Sequence, residues 1–215
     1  MSQHLKGMIP LDAVRHGPRD TTALIYEKGA SEFHVRGGVC WPVEVSGQFR
    51  GCALVAGLDV EKNRVAILCE TLFATIPTLL DPETQTITSL GVGSWFNSVW
   101  NTFYCHRFFV EAGAGGQHDR YGMEVRNTPE IQPEPRFKLI DAERSYYGVI
   151  QQHISNARLI YPKDGITEQA VVHMISQGPD QPTTHPIIRT LGCILNGYMR
   201  YPWRNADVEY TNVLY

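Results

Sequence analysis

Two near-continuous apolar runs around a short polar turn constrain the fold of this chain more than any other feature. Residues 52–58 read Cys-Ala-Leu-Val-Ala-Gly-Leu, residues 59–63 are Asp-Val-Glu-Lys-Asn, and residues 64–69 read Arg-Val-Ala-Ile-Leu-Cys. Runs of this length flanking a polar turn predict an antiparallel hairpin. A strand with one wet face alternates apolar and polar residues. These runs do not, so both faces must be covered, as in the middle of an α/β sheet. With 215 residues, 43% of them hydrophobic, the chain is long enough for one such sheet and its helices.

The remaining pattern agrees. Short strands are expected at 23–26 and 32–35, the second bounded by Gly37 and Gly38. Ser94 can cap a helix in which Trp95, Phe96, Val99, Trp100 and Phe103 recur at helical spacing. A strand over 107–110 ends at Glu111 and enters the glycine-rich stretch 112–116, and a proline loop covers 128–135. Residues 137–157 read as the longest helix, with a stripe of Leu139, Ala142, Tyr146, Val149, Ile150, Ile154 and Ala157. A strand over 158–161 stops at Pro162, and Thr167 can cap the next helix. The last helix spans 186–196, with Pro186 in its first turn and Gly197 at its end. The expected class is α/β, a mixed central sheet with flanking helices. The expected division is an extension or linker over 1–36, the α/β domain over 37–200, and an aromatic tail over 201–215.

Composition narrows the function. A net charge of −3 excludes a polybasic protein that holds nucleic acid by bulk charge. No apolar run approaches the eighteen or so residues of a membrane helix, and residues 1–10 lack an apolar leader segment. The expectation is a cytoplasmic protein with no membrane partner, in the host cytoplasm if it is viral. Cys40, Cys52, Cys69, Cys105 and Cys193 are odd in number, widely spaced and without a CxxC pair, which points to free thiols in a core.

The segment Phe108-Phe109-Val110-Glu111-Ala112-Gly113-Ala114-Gly115 carries the chemical signal. A buried strand delivers a carboxylate at its carboxyl end, where open α/β sheets place their ligands. Such a carboxylate suits a hard dication, Mg²⁺ or Mn²⁺, and the glycines would admit a phosphate. Together with the hairpin, and with the order of helix, strand and closing helix that follows, this segment resembles the RNase H-like nuclease domain of a tailed-phage terminase large subunit. No GxxxxGK[ST] phosphate loop accompanies it.

The resemblance implies a divalent-metal-dependent DNA endonuclease in genome packaging, with double-stranded DNA and packaging or virion proteins as partners. Two ions held by convergent carboxylates would activate water and stabilise the leaving oxygen. Glu111 matches the family's central acid. The family's first Asp lies on the opening strand, and three registers stay open. Asp59 serves if the hairpin opens the fold, and Asp12 serves if residues 11–21 do. If Val39-Cys40-Trp41-Pro42 is the opening strand, the Asp is missing. The family's last acid begins the closing helix, where this chain has Asp180 several residues early and His185 at the nearest position. The expected catalytic residues are therefore Glu111, Asp59, Asp12 and Asp180, and the expected metal ligands Glu111, Asp59 and His185.

Two other readings compete. Cys40-Trp41 is similar to the nucleophile pair of papain-like hydrolases, but Pro42 and Val43-Glu44-Val45 predict a strand where that family has a helix. A non-catalytic virion or assembly protein, built on a degraded nuclease fold, would use Tyr198, Tyr201, Trp203, Tyr210 and Tyr215 for docking. Arg120, Arg126, Arg136, Lys138 and Arg144 could contact phosphates beside Glu111.

Overall fold

A computed structural model describes residues 9–10, 14–16, 23–26, 31–45, 48–59, 63–73, 92–103, 105–112, 122, 125, 129, 131–182 and 184–200. The elements follow in chain order as Ile9–Pro10 (β1), Val14–His16 (β2), Ala23–Tyr26 (β3), Ser31–Val45 (β4), Gln48–Asp59 (β5), Arg64–Phe73 (β6), Val92–Phe103 (α1), Arg107–Glu111 (β7), Arg136–Ile140 (β8), Tyr147–Ser155 (α2), Leu159–Tyr161 (β9), Ile166–Gln177 (α3) and Pro186–Arg200 (α4).

The hairpin forms as expected, with β5 antiparallel to β6 and Asp59 opposite Arg64 beside its turn. The near-continuous run divides by the period-two alternation of a strand. Leu54, Ala56 and Leu58 pack into one core, and Ala53 and Val55 into another on the opposite face. The first core includes residues of α2, α3 and α4, and the second includes Phe96 and Val99 of α1. Both faces of the central strand are thus covered, which is why it contains so little polar surface.

β4 organises the rest of the sheet. One edge pairs with β5 along most of its length; the other pairs antiparallel with β3 near its start and parallel with β7 further on. β8 extends the sheet beyond β7 in parallel, and β9 and β1 extend it beyond β6. The sheet is mixed, as expected. The register of β4 against β5 shifts between Cys40 and Val43, so Pro42 lies at a bulge, where a missing N–H is tolerated.

Four helical expectations need correction, the first being Ser94, which lies inside α1 and so does not cap it. The segment expected to start a helix at Phe137 is instead β8, and α2 begins ten residues later at Tyr147. Arg136-Phe137-Lys138-Leu139-Ile140 takes the parallel ladder offered by β7, and residues 141–145, all but Ala142 polar, separate it from the helix. The closing helix passes through Gly197 to Arg200. A Cβ at Gly197 would overlap the Phe109 ring, so this glycine serves close helix-on-sheet packing and does not end the helix. All residues from Thr190 to Tyr198 are buried, with β4, β5 and β7 beneath the helix and α2 and α3 beside it.

Thr167 does not cap α3; it lies inside it, and the N-cap residue is Gly165. The capping group is the Glu70 carboxylate of β6, which accepts the Ile166 N–H at 2.6 Å and the Thr167 N–H at 2.8 Å. A carboxylate there satisfies two orphan donors and faces the positive end of the helix dipole. Glu70→Ala is expected to cost about 1–2 kcal/mol in urea unfolding, with Glu70→Gln intermediate. An unchanged midpoint for Glu70→Ala would refute this role.

The glycine-rich residues 113–116, the tail 201–215, and the residues Asp12, Arg120 and Arg126 lie outside the described residues. Among the described residues, no helix is long and apolar enough to cross a membrane.

Candidate functional site

Glu111 ends the buried strand Arg107–Glu111 and is itself 5% exposed. Val110 is the register partner of Val39, so Cys40 and Glu111 stand one residue further along β4 and β7. Of the three registers left open by the sequence, the structure therefore aligns β4 with the Glu111 strand, and the residue beside Glu111 is a cysteine. Burial pushes the Cys40 thiol up to about 11 despite the nearby Arg189 charge, which disfavours the thiolate, and Cys40 stands on a strand and not at a helix start.

Both oxygens of Glu111 have partners. Oε1 accepts the Tyr146 hydroxyl at 2.8 Å. Oε2 accepts Arg189 Nε at 2.7 Å, and Arg189 Nη2 completes a two-pronged ion pair on that oxygen. Tyr146 is 1% exposed, and its ring lies where a Cβ at residue 192 would be, so Gly192 permits the contact. Burial, then the neighbouring Cys193 and Glu111, push the Tyr146 phenol well above its ordinary range and keep it a donor. Burial works against the Arg189 charge, but its hydrogen bond to Glu111 and the Glu111 charge more than offset this. Cys193, pushed to about 12 by burial, lies with its Sγ 3.6 Å from the Tyr146 hydroxyl. Cys52, raised well above normal by burial, pairs with Thr190 at 2.9 Å. Among the described residues, the centre thus holds one carboxylate and one guanidinium, with thiols and hydroxyls whose burial favours the neutral form.

Among the described residues, the donor set around Glu111 does not fit two divalent ions. Paired dications need several carboxylates converging on them. The strand beside Glu111 supplies a protonated thiol, and the closing helix supplies a cation that already occupies one Glu111 oxygen. Among the described residues, no three His, Cys, Asp or Glu side chains are grouped to hold a metal ion.

The other expected site residues lie elsewhere. Asp59 is 1% exposed and accepts Arg64 Nη2 at 2.9 Å beside the hairpin turn. Its register partner on β4 is Phe33. Seven residues separate Phe33 from Cys40, about 23 Å of strand. Asp59 and Glu111 are therefore at opposite ends of the sheet. Asp180 is exposed in the turn after α3. His185 precedes α4, and its Nδ1 accepts the Ile187 N–H at 3.3 Å. That contact caps the helix, and Arg189 one turn later is the residue that reaches Glu111. Arg189, Tyr146 and Cys193 were not anticipated. The available signal was an arginine inside the largely apolar stretch 187–195, since a half-buried cation favours a carboxylate partner.

The mixed sheet with its flanking helices is an RNase H-like fold, the class found in terminase nucleases. The structure of the large terminase nuclease from thermophilic phage G20c with bound zinc matches at a TM-score of 0.50 and 12% identity, over 93% of this chain and 97% of that one. The magnesium-bound structure of that nuclease matches at 0.50 and 11%, over 90% and 95%. The manganese-bound large terminase nuclease domain of bacteriophage SPP1 gives 0.47 and 10%, over 77% and 85%. No protein-family model matches the sequence, and no curated protein is significantly similar to it.

Proposed function

We propose that this chain serves phage genome packaging or virion assembly as a non-cleaving domain that retains the terminase nuclease fold. The observation that carries this reading is the Arg189 guanidinium on Glu111. It takes the place of cationic metal with a fixed side chain, and Cys40 removes the carboxylate that the resemblance implies on the opening strand. The site then works as an internal ion pair that ties α4 to β7. Its partners would be packaging or virion proteins, in the cytoplasm of an infected cell.

The second reading is the divalent-metal-dependent endonuclease, cutting double-stranded DNA with Mg²⁺ or Mn²⁺. One observation favours it: Glu111 lies at the carboxyl end of β7 in a fold shared with nucleases solved with bound zinc and magnesium. Incubating the protein with supercoiled plasmid and either metal separates the two. The expected result is intact plasmid, with Glu111→Ala indistinguishable from the unmodified chain. Metal-dependent nicking that disappears in Glu111→Ala would establish the endonuclease and end the non-cleaving reading.

A further inference from the structure

The strand positions level with Glu111 bring two thiols together. Cys40 of β4 and Cys52 of β5 are register partners, and Leu72 of β6 is the partner of Cys52 on its other side. Partners across an antiparallel ladder point to the same face. Here that is the face beneath α4, since Cys52 belongs to the core there and Cys40 packs against it. The row across β7, β4, β5 and β6 thus reads Glu111, Cys40, Cys52, Leu72.

Both cysteines are free thiols, but they differ in access. Cys52 is wholly buried, and its Sγ lies 2.9 Å from the Thr190 hydroxyl of α4. Cys40 is partly exposed, and Leu72 at the β6 end of the row is exposed. Register partners have Cα atoms about 4.5–5.5 Å apart, within the roughly 4.4–6.8 Å of disulfides. Their Cβ atoms, about 4.5–5.5 Å apart in a regular ladder, must close to about 3.5–4.5 Å. The ladder can give at this point, because its register breaks immediately after Cys40, at the bulge that takes Pro42. Cys193 is the competing thiol. It belongs to α4, with Sγ 3.6 Å from the Tyr146 hydroxyl. A bond to it has to cross from sheet to helix, whereas Cys40 and Cys52 face each other on paired strands.

We infer that Cys40 and Cys52 are a redox-sensitive dithiol, which a small-molecule disulfide converts to a cross-strand disulfide beside Glu111. Cys40 reacts first, because it alone of the two meets solvent. Its thiolate attacks one sulfur of the oxidant, forming a mixed disulfide and expelling a thiolate. Cys52 then attacks the Cys40 sulfur, closes the Sγ–Sγ bond and expels the second thiolate. The two cysteine protons pass to the two expelled thiolates, so two protein thiols are oxidised and one small disulfide is reduced to two thiols. Burial keeps both cysteines protonated near neutral pH, which makes the exchange slow. In a reducing compartment the pair stays as thiols. The inference goes beyond the non-cleaving reading and stands whether or not Glu111 supports catalysis.

The test treats the folded full chain with oxidised glutathione, blocks the remaining thiols with iodoacetamide in urea, and digests with trypsin without reduction. Cleavage after Arg36, Arg50 and Lys62 puts the two cysteines on separate peptides, 37–50 and 51–62. Mass spectrometry should find these two joined as the dominant linked species, lighter than their sum by two hydrogens, and dithiothreitol should separate them. Cys52→Ala should stop at a glutathione adduct on 37–50, Cys40→Ala should leave Cys52 unmodified, and Cys193→Ala should still give the link. Should a variant fail to fold, the unmodified chain decides alone. Three results from it overturn the inference: dominant linkage of either cysteine to Cys193, a glutathione adduct on Cys40 that never resolves, or both cysteines recovered fully alkylated.

Discussion

Arg189→Met is expected to destabilise the protein by about 3 kcal/mol, a fall in Tm of roughly 6–12 °C for a domain of this size. The reason is asymmetry within a buried pair. The Glu111 side chain is 6% exposed and that of Arg189 30% exposed, so removing the guanidinium leaves a carboxylate that water barely reaches. The Tyr146 hydroxyl still donates to Oε1, but one neutral donor does not compensate a buried charge. Glu111→Gln added to Arg189→Met should recover most of the loss, because it removes the stranded charge and keeps an acceptor for Tyr146. The double-mutant cycle would then show a coupling well above that of a surface ion pair. Arg189→Met melting with the unmodified chain would mean that the pair is solvated and contributes no more than a surface pair. The site would then be free to exchange its cation.

How far the sequence anticipated this depends on which physical signal each part carries. The hairpin at 52–69 was legible because burial on both faces leaves a continuous apolar run, and few other structures produce one. β7, β9 and α4 were legible for similar reasons. β8 was not, because Leu139 also fits the helical stripe that Ala142, Tyr146 and Val149 continue. What decides for a strand is the free edge of β7, a tertiary fact. Gly197 was read as a helix end for the same kind of reason; the Phe109 ring that requires a glycine there is far away in sequence. At the site, Glu111 was visible as a carboxylate closing a buried strand. Asp59 was apt if the hairpin opened the fold, and the antiparallel sense of β5 sends it to the far end of the sheet. The Arg189 partner was hidden because an ion pair over 78 positions of sequence has no local pattern.

If Cys40 and Arg189 stand where the two missing carboxylates of a metal centre would be, restoring them should create metal dependence. The double substitution Cys40→Asp with Arg189→Asp would bring three carboxylates together from β4, β7 and α4. Without metal this variant should be less stable than the unmodified chain, because like charges are forced together in a buried place. Mn²⁺ at a hundredfold excess over its dissociation constant should then return about 2.7 kcal/mol, or roughly 5–10 °C in Tm. The unmodified chain should show no such shift, since Arg189 already occupies the anion. Cys40→Asp alone should also fail to respond, because the new carboxylate would share the guanidinium and leave no net charge for a dication. A metal-induced shift of equal size in the unmodified protein would show that Arg189 yields its place, and the endonuclease reading would regain its footing. No shift in the double variant would mean that residues 40 and 189 do not converge on Glu111 closely enough for one ion, and the picture of a metal centre replaced by an ion pair would fail.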